Sequence, residues 1–268
     1  YTIIRNKKFN WDINTNFTLN RNKAYDFPDE IQQIGLAGYS DLGLFAFPNQ
    51  PLGMIYGSRV LRDPNKGNQP VVGPDGNYLV DPTLGVLGDS NPDFQLTGIT
   101  NFSYKRLSFR MQWDYSRGGD MFAMTPLILL SRGVTKDTEI DRQQMWVIPG
   151  VNQAGEPNNV QISVSDVFFN NRLVSADEFG VWDATVIRLR EASLSYSIPE
   201  NLLKKSPFGS ASFTVSGQNL WYKAPSFPKY TNFDPETSTL GVSSFARGFE
   251  LMTAPSSRRF GASLRLTF

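Results

Sequence analysis

The sequence lacks two residue types that carry much of protein chemistry, and it has almost no net charge. Its 268 residues contain no cysteine and no histidine, which excludes disulfide bridges, thiolate zinc sites and histidine-dependent catalysis. The 26 basic and 25 acidic residues leave a net charge of +1. A chain with so small a charge has no overall field that would attract nucleic acid or anionic lipid.

Long apolar runs are also missing. The longest aliphatic run covers residues 127–130, whereas a membrane-spanning helix needs roughly 20 apolar residues, so the sequence predicts no transmembrane helix. Residue 1 is a tyrosine, and the charged and apolar zones of a signal peptide do not follow it. We therefore expect the chain to be a processed or partial piece of a longer protein.

Apolar and polar residues alternate along several segments, and a period of two predicts strands with one apolar and one wet face. The alternating segments are 9–20, 94–105, 107–115, 187–198, 210–216 and 259–268. Only Lys105 and Arg106 separate two of them, which predicts a tight hairpin. The apolar residues of segment 187–198 occupy odd positions up to Leu189 and even positions from Leu194, which predicts a β-bulge near residues 190–192.

The predicted strands have the length of outer-membrane strands. They run about 10–12 residues, whereas soluble strands most often have about 5–6 and outer-membrane strands about 9–11. Charged and amide side chains on the wet face suit a water-filled lumen. The residues assigned to this lumen are Arg110, Gln112, Asp114, Gln218, Arg259 and Arg265. The predicted fold class is therefore all-β, a transmembrane antiparallel β-barrel.

Long segments rich in Gly, Pro, Asn and Ser interrupt the strands, at about 63–93, 117–182 and 222–257. Outer-membrane barrels have long extracellular loops and short periplasmic turns, so we expect these segments outside. The path of residues 21–62 stays open. A barrel strand at 53–62 requires either a further strand within 63–93 or an extracellular segment 21–50, and the sequence does not choose.

Several short motifs follow one another in a fixed order. They are residues 88–94, 103–105, 188–199, 216–221, 233–236 and 258–268. In this order they resemble the SusC-like TonB-dependent outer-membrane transporters of Bacteroidetes, closely over about residues 88–268 and loosely over 9–62. Arg106 stands where that family usually has glycine, and residues 63–83 lack its usual acidic run. The resemblance therefore assigns no metal ligand in that loop, and the sequence leaves open whether residues 63–83 bind a metal.

The resemblance implies a plugged barrel of about 22 strands, of which residues 1–268 would supply about the last eight and none of the plug. It implies the outer membrane of a Gram-negative bacterium and the import of oligosaccharides or peptides. The implied partners are a SusD-like surface lipoprotein, the TonB complex through the absent N-terminal region, the outer-membrane insertion machinery and outer-membrane lipid. No cofactor and no nucleic acid is implied.

Candidate ligand contacts are aromatic rings in the long loops, because such rings stack on sugars and on apolar peptide side chains. These rings belong to Trp146, Phe168, Phe169, Trp182, Tyr222, Phe227, Tyr230, Phe233 and Phe245. The last segment places Phe260, Leu264, Leu266 and Phe268 on one face, where we expect them to signal outer-membrane insertion. Carboxylate pairs in the loops are expected to be solvated, so we predict no catalytic residue and no enzyme.

Two other interpretations remain open from the sequence. The chain is long enough for a complete eight-stranded outer-membrane barrel or porin, although such small barrels are filled by their own side chains. It is also compatible with a secreted lectin-like β-sandwich, whose strands alternate in the same way. The sandwich predicts a protein that stays soluble without detergent.

Overall fold

The computed structural model describes residues 1–239 and 247–268, so Phe245 lies outside the described residues. The strands of this part of the chain are β1 (Thr2–Arg5), β2 (Phe9–Thr18), β3 (Ile34–Gly38), β4 (Gly43–Ala46), β5 (Leu52–Gly57), β6 (Arg62–Asp63), β7 (Gln69–Pro70), β8 (Gly85–Asp89), β9 (Phe94–Tyr104), β10 (Leu107–Arg117), β11 (Asp120–Ala123), β12 (Met145–Val147), β13 (Gln161–Ser163), β14 (Val181–Asp183), β15 (Val186–Ser197), β16 (Ser210–Lys223), β17 (Phe249–Glu250) and β18 (Arg259–Thr267).

Helical segments are few and short. The α-helices are α1 (Met124–Ser131), α2 (Val164–Phe168) and α3 (Glu200–Leu203). A π-helical turn covers Phe169–Val174, and 3₁₀ turns cover Pro64–Lys66, Lys136–Thr138 and Asp177–Gly180. Across residues 1–239 and 247–268, no helix has the length and apolar character needed to cross a bilayer.

The largest sheet is antiparallel and contains seven strands in the order β1-β2-β9-β10-β15-β16-β18. Apart from the four-residue β1, its strands are 9 to 14 residues long. The all-β antiparallel architecture confirms the predicted fold class. The described residues contribute seven strands to this sheet, against about eight expected.

The predicted hairpin and bulge are both confirmed. Tyr104 pairs with Leu107, so Lys105 and Arg106 form a two-residue turn. Lys105 has a φ of 53° and Arg106 has no positive φ. Because only the first turn residue needs a positive φ in a type II′ turn, arginine is accepted at the second position. In the pairing with β10, Arg190 is the extra residue between Leu189 and Glu191, which makes it the bulged residue. In the pairing with β16 the extra residue lies on β16, where Asn219 and Leu220 stand opposite Arg190.

The two faces of this sheet differ in chemistry, as a period of two requires. One face exposes apolar side chains along its whole width. They include Leu96, Leu107, Trp113, Ile187, Leu194, Tyr196, Phe213, Val215, Trp221, Phe260, Leu264 and Leu266. The other face carries hydrogen-bonded polar groups: Arg110 donates to Asn101 at 3.2 Å, and the Ser195 and Thr214 hydroxyls lie 2.7 Å apart. The apolar face has no covering layer within the described residues.

Three long connections leave the same end of the sheet. They cover residues 19–93, 118–185 and 224–258, while the turns at 6–8, 105–106 and 198–209 lie at the opposite end. The possibility of a barrel strand at 53–62 is wrong. β2 pairs directly with β9, and β5 belongs to a separate four-stranded sheet of order β3-β4-β5-β8. Ile55 of β5 is 0% exposed, so this strand is buried within the connections.

The three connections pack into one body. A core cluster joins Leu44 and Ile55 of the first connection to Phe122 of the second and Phe249 of the third. Phe122 lies in β11, which pairs with β14 on one side and with β17 on the other. Burial of these large apolar side chains provides most of the attraction between the connections. Their relative positions are therefore fixed at one end of the large sheet.

Candidate functional site at the mouth of the sheet

A buried ion pair joins the large sheet to the third connection. Arg188 of β15 donates from Nη1 to Asp234 Oδ2 at 3.0 Å and from Nη2 to Asp234 Oδ1. The two side chains are 2% and 4% exposed. Arg188 belongs to the motif at 188–199 and Asp234 to the motif at 233–236. The structure thus brings together two motifs that the sequence showed only as separate signatures.

The bulged residue forms a second bridge beside the first. Arg190 Nε donates to Asp114 Oδ2 at 2.6 Å, and its Nη1 and Nη2 donate to the Glu236 carboxylate at 2.8 Å and 2.5 Å. Arg190 and Glu236 are partly exposed, at 32% and 45%. A bulge redirects a side chain relative to the regular strand, and here Arg190 links β10 and the loop. We call Asp114, Arg188, Arg190, Asp234 and Glu236 the arginine latch.

Residues around the latch restrict its geometry further. The Arg188 guanidinium lies 5.2 Å from the centre of the Tyr222 ring, and the Tyr222 hydroxyl donates to the Asn232 carbonyl oxygen at 2.6 Å. The Glu236 amide N–H donates to Asp234 Oδ1 at 3.0 Å. A planar guanidinium between a ring face and a carboxylate is held in one orientation. The latch therefore fixes residues 232–236 against the ends of β15 and β16.

The arrangement suits anchoring and not proton transfer. Burial alone raises the pKa of the Asp234 carboxyl, but the hydrogen bonds and charge of Arg188 outweigh burial, so its pKa lies below the usual 3.8. A carboxylate held ionised beside arginine is a poor general acid or base near neutral pH. The three latch carboxylates each accept a hydrogen bond from an arginine.

The lowered pKa of Asp234 gives a pH dependence with a definite sign. A carboxyl with a depressed pKa in the folded state contributes stability that is complete above its unfolded pKa and is lost as the pH falls through the folded pKa. Hydrogen exchange of residues 224–239, corrected for intrinsic rates, should show constant protection from about pH 7 to pH 5 and declining protection below. A decline already between about pH 7 and 5 would contradict this assignment.

Several aromatic residues predicted to bind ligand are instead packed inside the loop body. Trp182 stacks on Phe227 at 5.3 Å, and Phe227 contacts Phe233 at 5.6 Å. Phe227 and Phe233 are 4% and 9% exposed, and Arg188 covers one face of the Tyr222 ring. The buried Phe227 and Phe233 rings hold the loops together, which argues against ligand contact by these two. Trp182 and Tyr222 are only partly buried, and ligand contact by them stays a prediction.

The other predicted aromatics remain accessible at least in part. Phe169 and Tyr230 are 37% and 52% exposed, each with a cationic side chain over its ring. Trp146 contacts Phe168 with ring centres 6.3 Å apart, and the Arg172 guanidinium lies 5.6 Å from the centre of the Phe168 ring. These four rings lie in the second and third connections and stay candidates for ligand contact.

The predicted lumen residues lie on the strands of the large sheet. Arg110 bonds to Asn101, Gln112 donates to Asp114 at 3.1 Å, and Gln218 is the partner of Arg259 in the β16–β18 register. Arg265 pairs with Ser212. Of these residues, only Asp114 belongs to the latch. The sequence did not predict that Arg188 pairs with Asp234 and Arg190 with Glu236. All four residues nevertheless lie in the motifs at 188–199 and 233–236.

The four residues assigned to membrane insertion lie at one edge of the large sheet. Phe260, Leu264 and Leu266 of β18 are paired in register with Gly217, Phe213 and Ala211, so their side chains extend the apolar face. Phe268 follows the strand, is 87% exposed and contacts the Phe208 ring at 5.1 Å.

Comparison with known proteins gives sequence and fold relatives. The chain is 26% identical over 259 residues to TonB-dependent receptor P3 of Formosa agariphila, and the match covers 88% of this chain and 24% of that receptor. No protein-family profile matches the chain. The fold is similar to chains in the RagAB peptide importer in its closed-closed state, with TM-score 0.62 and 18% identity, and in its open-open state, with TM-score 0.60 and 18% identity.

Both RagAB matches cover 100% of this chain and 28% and 27% of theirs. The chain therefore spans about a quarter of the length of the relatives it matches. The family resemblance predicted from the motifs is confirmed. The long antiparallel strands and the uncovered apolar face agree with these comparisons, in which the chain is similar in sequence to part of a TonB-dependent receptor and similar in fold to part of the matched RagAB chains.

Proposed function

We propose that this segment forms part of the wall and the extracellular mouth of a transporter that imports peptides or oligosaccharides through the outer membrane. The observation that carries the proposal is the arginine latch, which ties a long connection to the polar face of the sheet. In an outer-membrane barrel the polar face lines the lumen and the long connections lie outside. A loop body fixed over the lumen is placed to meet cargo before it enters.

The partners belong to the same proposal. A SusD-like surface lipoprotein would close over the three connections, and the TonB complex would act through a part of the receptor outside residues 1–268. The insertion machinery and outer-membrane lipid would meet the apolar face and β18. RagAB is a peptide importer, so peptides are the first cargo to test. The relatives are receptors and importers, which agrees with transport in preference to catalysis.

Cargo can be tested in the host with the full-length receptor gene deleted. We expect slower growth on at least one class of defined peptides or glycans supplied as the limiting nutrient, and recovery when the wild-type gene is returned. Uptake of a labelled member of that class should fall in parallel. Normal growth and uptake on every peptide and glycan would contradict the import function.

The apolar face makes a prediction about lipid contact. Val215 lies near the middle of β16, is 43% exposed and belongs to the apolar face, while Ser216 follows on the polar face. Val215→Arg should cost about 2–4 kcal/mol, because a cation on the lipid side near the bilayer midplane is poorly solvated. The measurement is the urea dependence of unfolding of the full receptor in lipid vesicles. Ser216→Arg is the matched control and should cost less than about 1 kcal/mol; equal effects would refute the assigned lipid face.

The end of β18 makes a prediction about assembly. Deletion of Phe268 should lower the amount of folded receptor in the outer membrane, because an apolar strand can be recognised by addition to a sheet edge. Folded receptor can be counted by its resistance to protease in isolated membranes. Phe208→Ala removes the ring that Phe268 contacts without altering β18, so it should leave assembly nearly unchanged. Unchanged assembly after the deletion would contradict the insertion signal.

A further inference from the structure

A groove runs through the second connection, away from the arginine latch. Its volume is about 450 Å³, within the range of about 300–1,000 Å³ that small-ligand sites usually occupy. The β12 strand forms one side, and the π-helical turn after α2 forms another. The lining residues are Tyr78, Met145, Trp146, Val147, Ile148, Pro149, Val167, Asn171, Arg172 and Phe179. Most of this lining is apolar.

Arg172 is the one formal charge among the lining residues. It makes no hydrogen bond and no ion pair within residues 1–239 and 247–268, and its guanidinium is held over the Phe168 ring at 5.6 Å. Arg172 is partly buried, so its cation has lost part of its hydration, and this burial lowers the pKa of the guanidinium. A partly desolvated cation without a carboxylate partner gains from binding an anion.

The other polar groups of the groove are already engaged. The Asn171 side chain accepts from the Tyr78 amide N–H at 2.6 Å and donates to Asn77 Oδ1 at 2.9 Å. The Tyr78 hydroxyl donates to the Pro149 carbonyl oxygen at 3.1 Å. A ligand that brings many hydroxyl groups would leave most of them without partners here, which is costly. The groove therefore favours one carboxylate next to an apolar side chain over a sugar.

We propose that this groove binds the C-terminal residue of a peptide, with the peptide carboxylate on Arg172 and an apolar side chain against the wall formed by Met145, Val147 and Phe179. The proposal rests on the proposed import function and names the cargo end that is recognised. Arginine suits this role because its planar guanidinium presents paired donors to a carboxylate. Trp146, which the sequence singled out for ligand contact, lines the same groove.

The test measures peptide binding to the full-length receptor purified in detergent. The probes are the tripeptide Ala-Ala-Leu with a free C-terminal carboxylate and the same tripeptide with a C-terminal amide. Calorimetry measures the dissociation constant of each. We expect the acid to bind at least about tenfold more tightly than the amide. Arg172→Gln should abolish that difference by weakening the acid alone. Met145→Glu, at the exposed rim, should do the same by supplying a competing carboxylate.

Arg132→Gln is the matched control. Arg132 also lies over an aromatic ring, Phe169, at 5.1 Å, but it does not line the groove, so the preference for the acid should persist. The proposal would be overturned if the wild type bound acid and amide equally, or if it bound neither up to about 1 mM. It would also be overturned if Arg132→Gln lost the preference for the acid as fully as Arg172→Gln. Tighter, Arg172-dependent binding of digalacturonate would overturn the choice of a peptide.

Binding and import can fail separately. A receptor that discriminates acid from amide, yet whose deletion leaves uptake normal, would contradict the import function and leave the groove assignment intact. A receptor that imports peptides without discriminating acid from amide would contradict the groove assignment alone.

Discussion

Asp234→Ala should destabilise the third connection by about 3–5 kcal/mol, because it removes the carboxylate that hydrogen-bonds both Nη atoms of the buried Arg188 guanidinium and leaves only Glu236, at 3.5 Å, as a carboxylate partner. Arg188 is 2% exposed and Asp234 4%, so water cannot replace the lost carboxylate without opening the loop. Opening free energies from hydrogen exchange of residues 224–239 report the loss directly. We expect the β15–β16 ladder to keep most of its protection, since its backbone pairing does not depend on the latch.

Two further variants separate the buried charge from loss of the loop contact. Glu236→Gln removes the partly exposed partner and should cost no more than about 1 kcal/mol. Arg188→Met combined with Asp234→Leu removes both charges and should recover most of the loss, because buried pairs can often be replaced by apolar residues of similar volume. Equal losses in Asp234→Ala and Glu236→Gln would contradict the central position of the buried pair. If the double variant did not recover stability, the loss in Asp234→Ala would come from the oriented contact between the two side chains and not from the burial of an unpaired charge.

Phe122→Ala should cost about 3–5 kcal/mol, the usual loss when a buried phenylalanine is truncated. Phe122 is 1% exposed, and its ring lies 5.5 Å from that of Phe249. Because their cluster also holds Leu44 and Ile55, the substitution should loosen all three connections together. Hydrogen exchange should therefore show faster opening in β4, β5 and β11 at once.

The control for this truncation is Phe169→Ala. Phe169 lies in the same connection but is 37% exposed, so its loss should stay below about 1 kcal/mol. Faster exchange confined to β11 after Phe122→Ala would contradict a shared core. Uptake through the receptor should fall in Phe122→Ala if the packed loop body takes part in transport, whereas Phe169→Ala serves as a control for stability only.

Local patterns in the sequence were sufficient to predict the long strands of the large sheet. Alternation gave the strands now seen as β2, β9, β10, β15, β16 and β18, and the parity change between Leu189 and Leu194 located the bulge at Arg190. These predictions succeed because a strand with one apolar and one polar face must repeat every two residues. The short motifs predicted the family that the chain resembles, and the fold and sequence relatives support that resemblance.

The loop body was not predictable in the same way. Its strands are mostly short, and residues such as Leu44 and Ile55 are buried in clusters without a repeating period. The sequence therefore allowed a barrel strand at 53–62 and ligand contact at Phe227 and Phe233. Burial decides both cases, and burial here depends on contacts between segments far apart in the chain.

The sequence by itself determined an antiparallel sheet of long strands, its hairpin, its bulge and the family that the chain resembles, because those features follow from neighbouring residues. Only the tertiary structure decided which charges meet. Arg188 and Asp234 are separated by 46 positions, and no periodicity relates them. Their pairing arises because the third connection folds back onto the strand ends, where a buried guanidinium requires a carboxylate. Within residues 1–239 and 247–268, the same long-range packing leaves Arg172 without a carboxylate partner and creates the groove beside it.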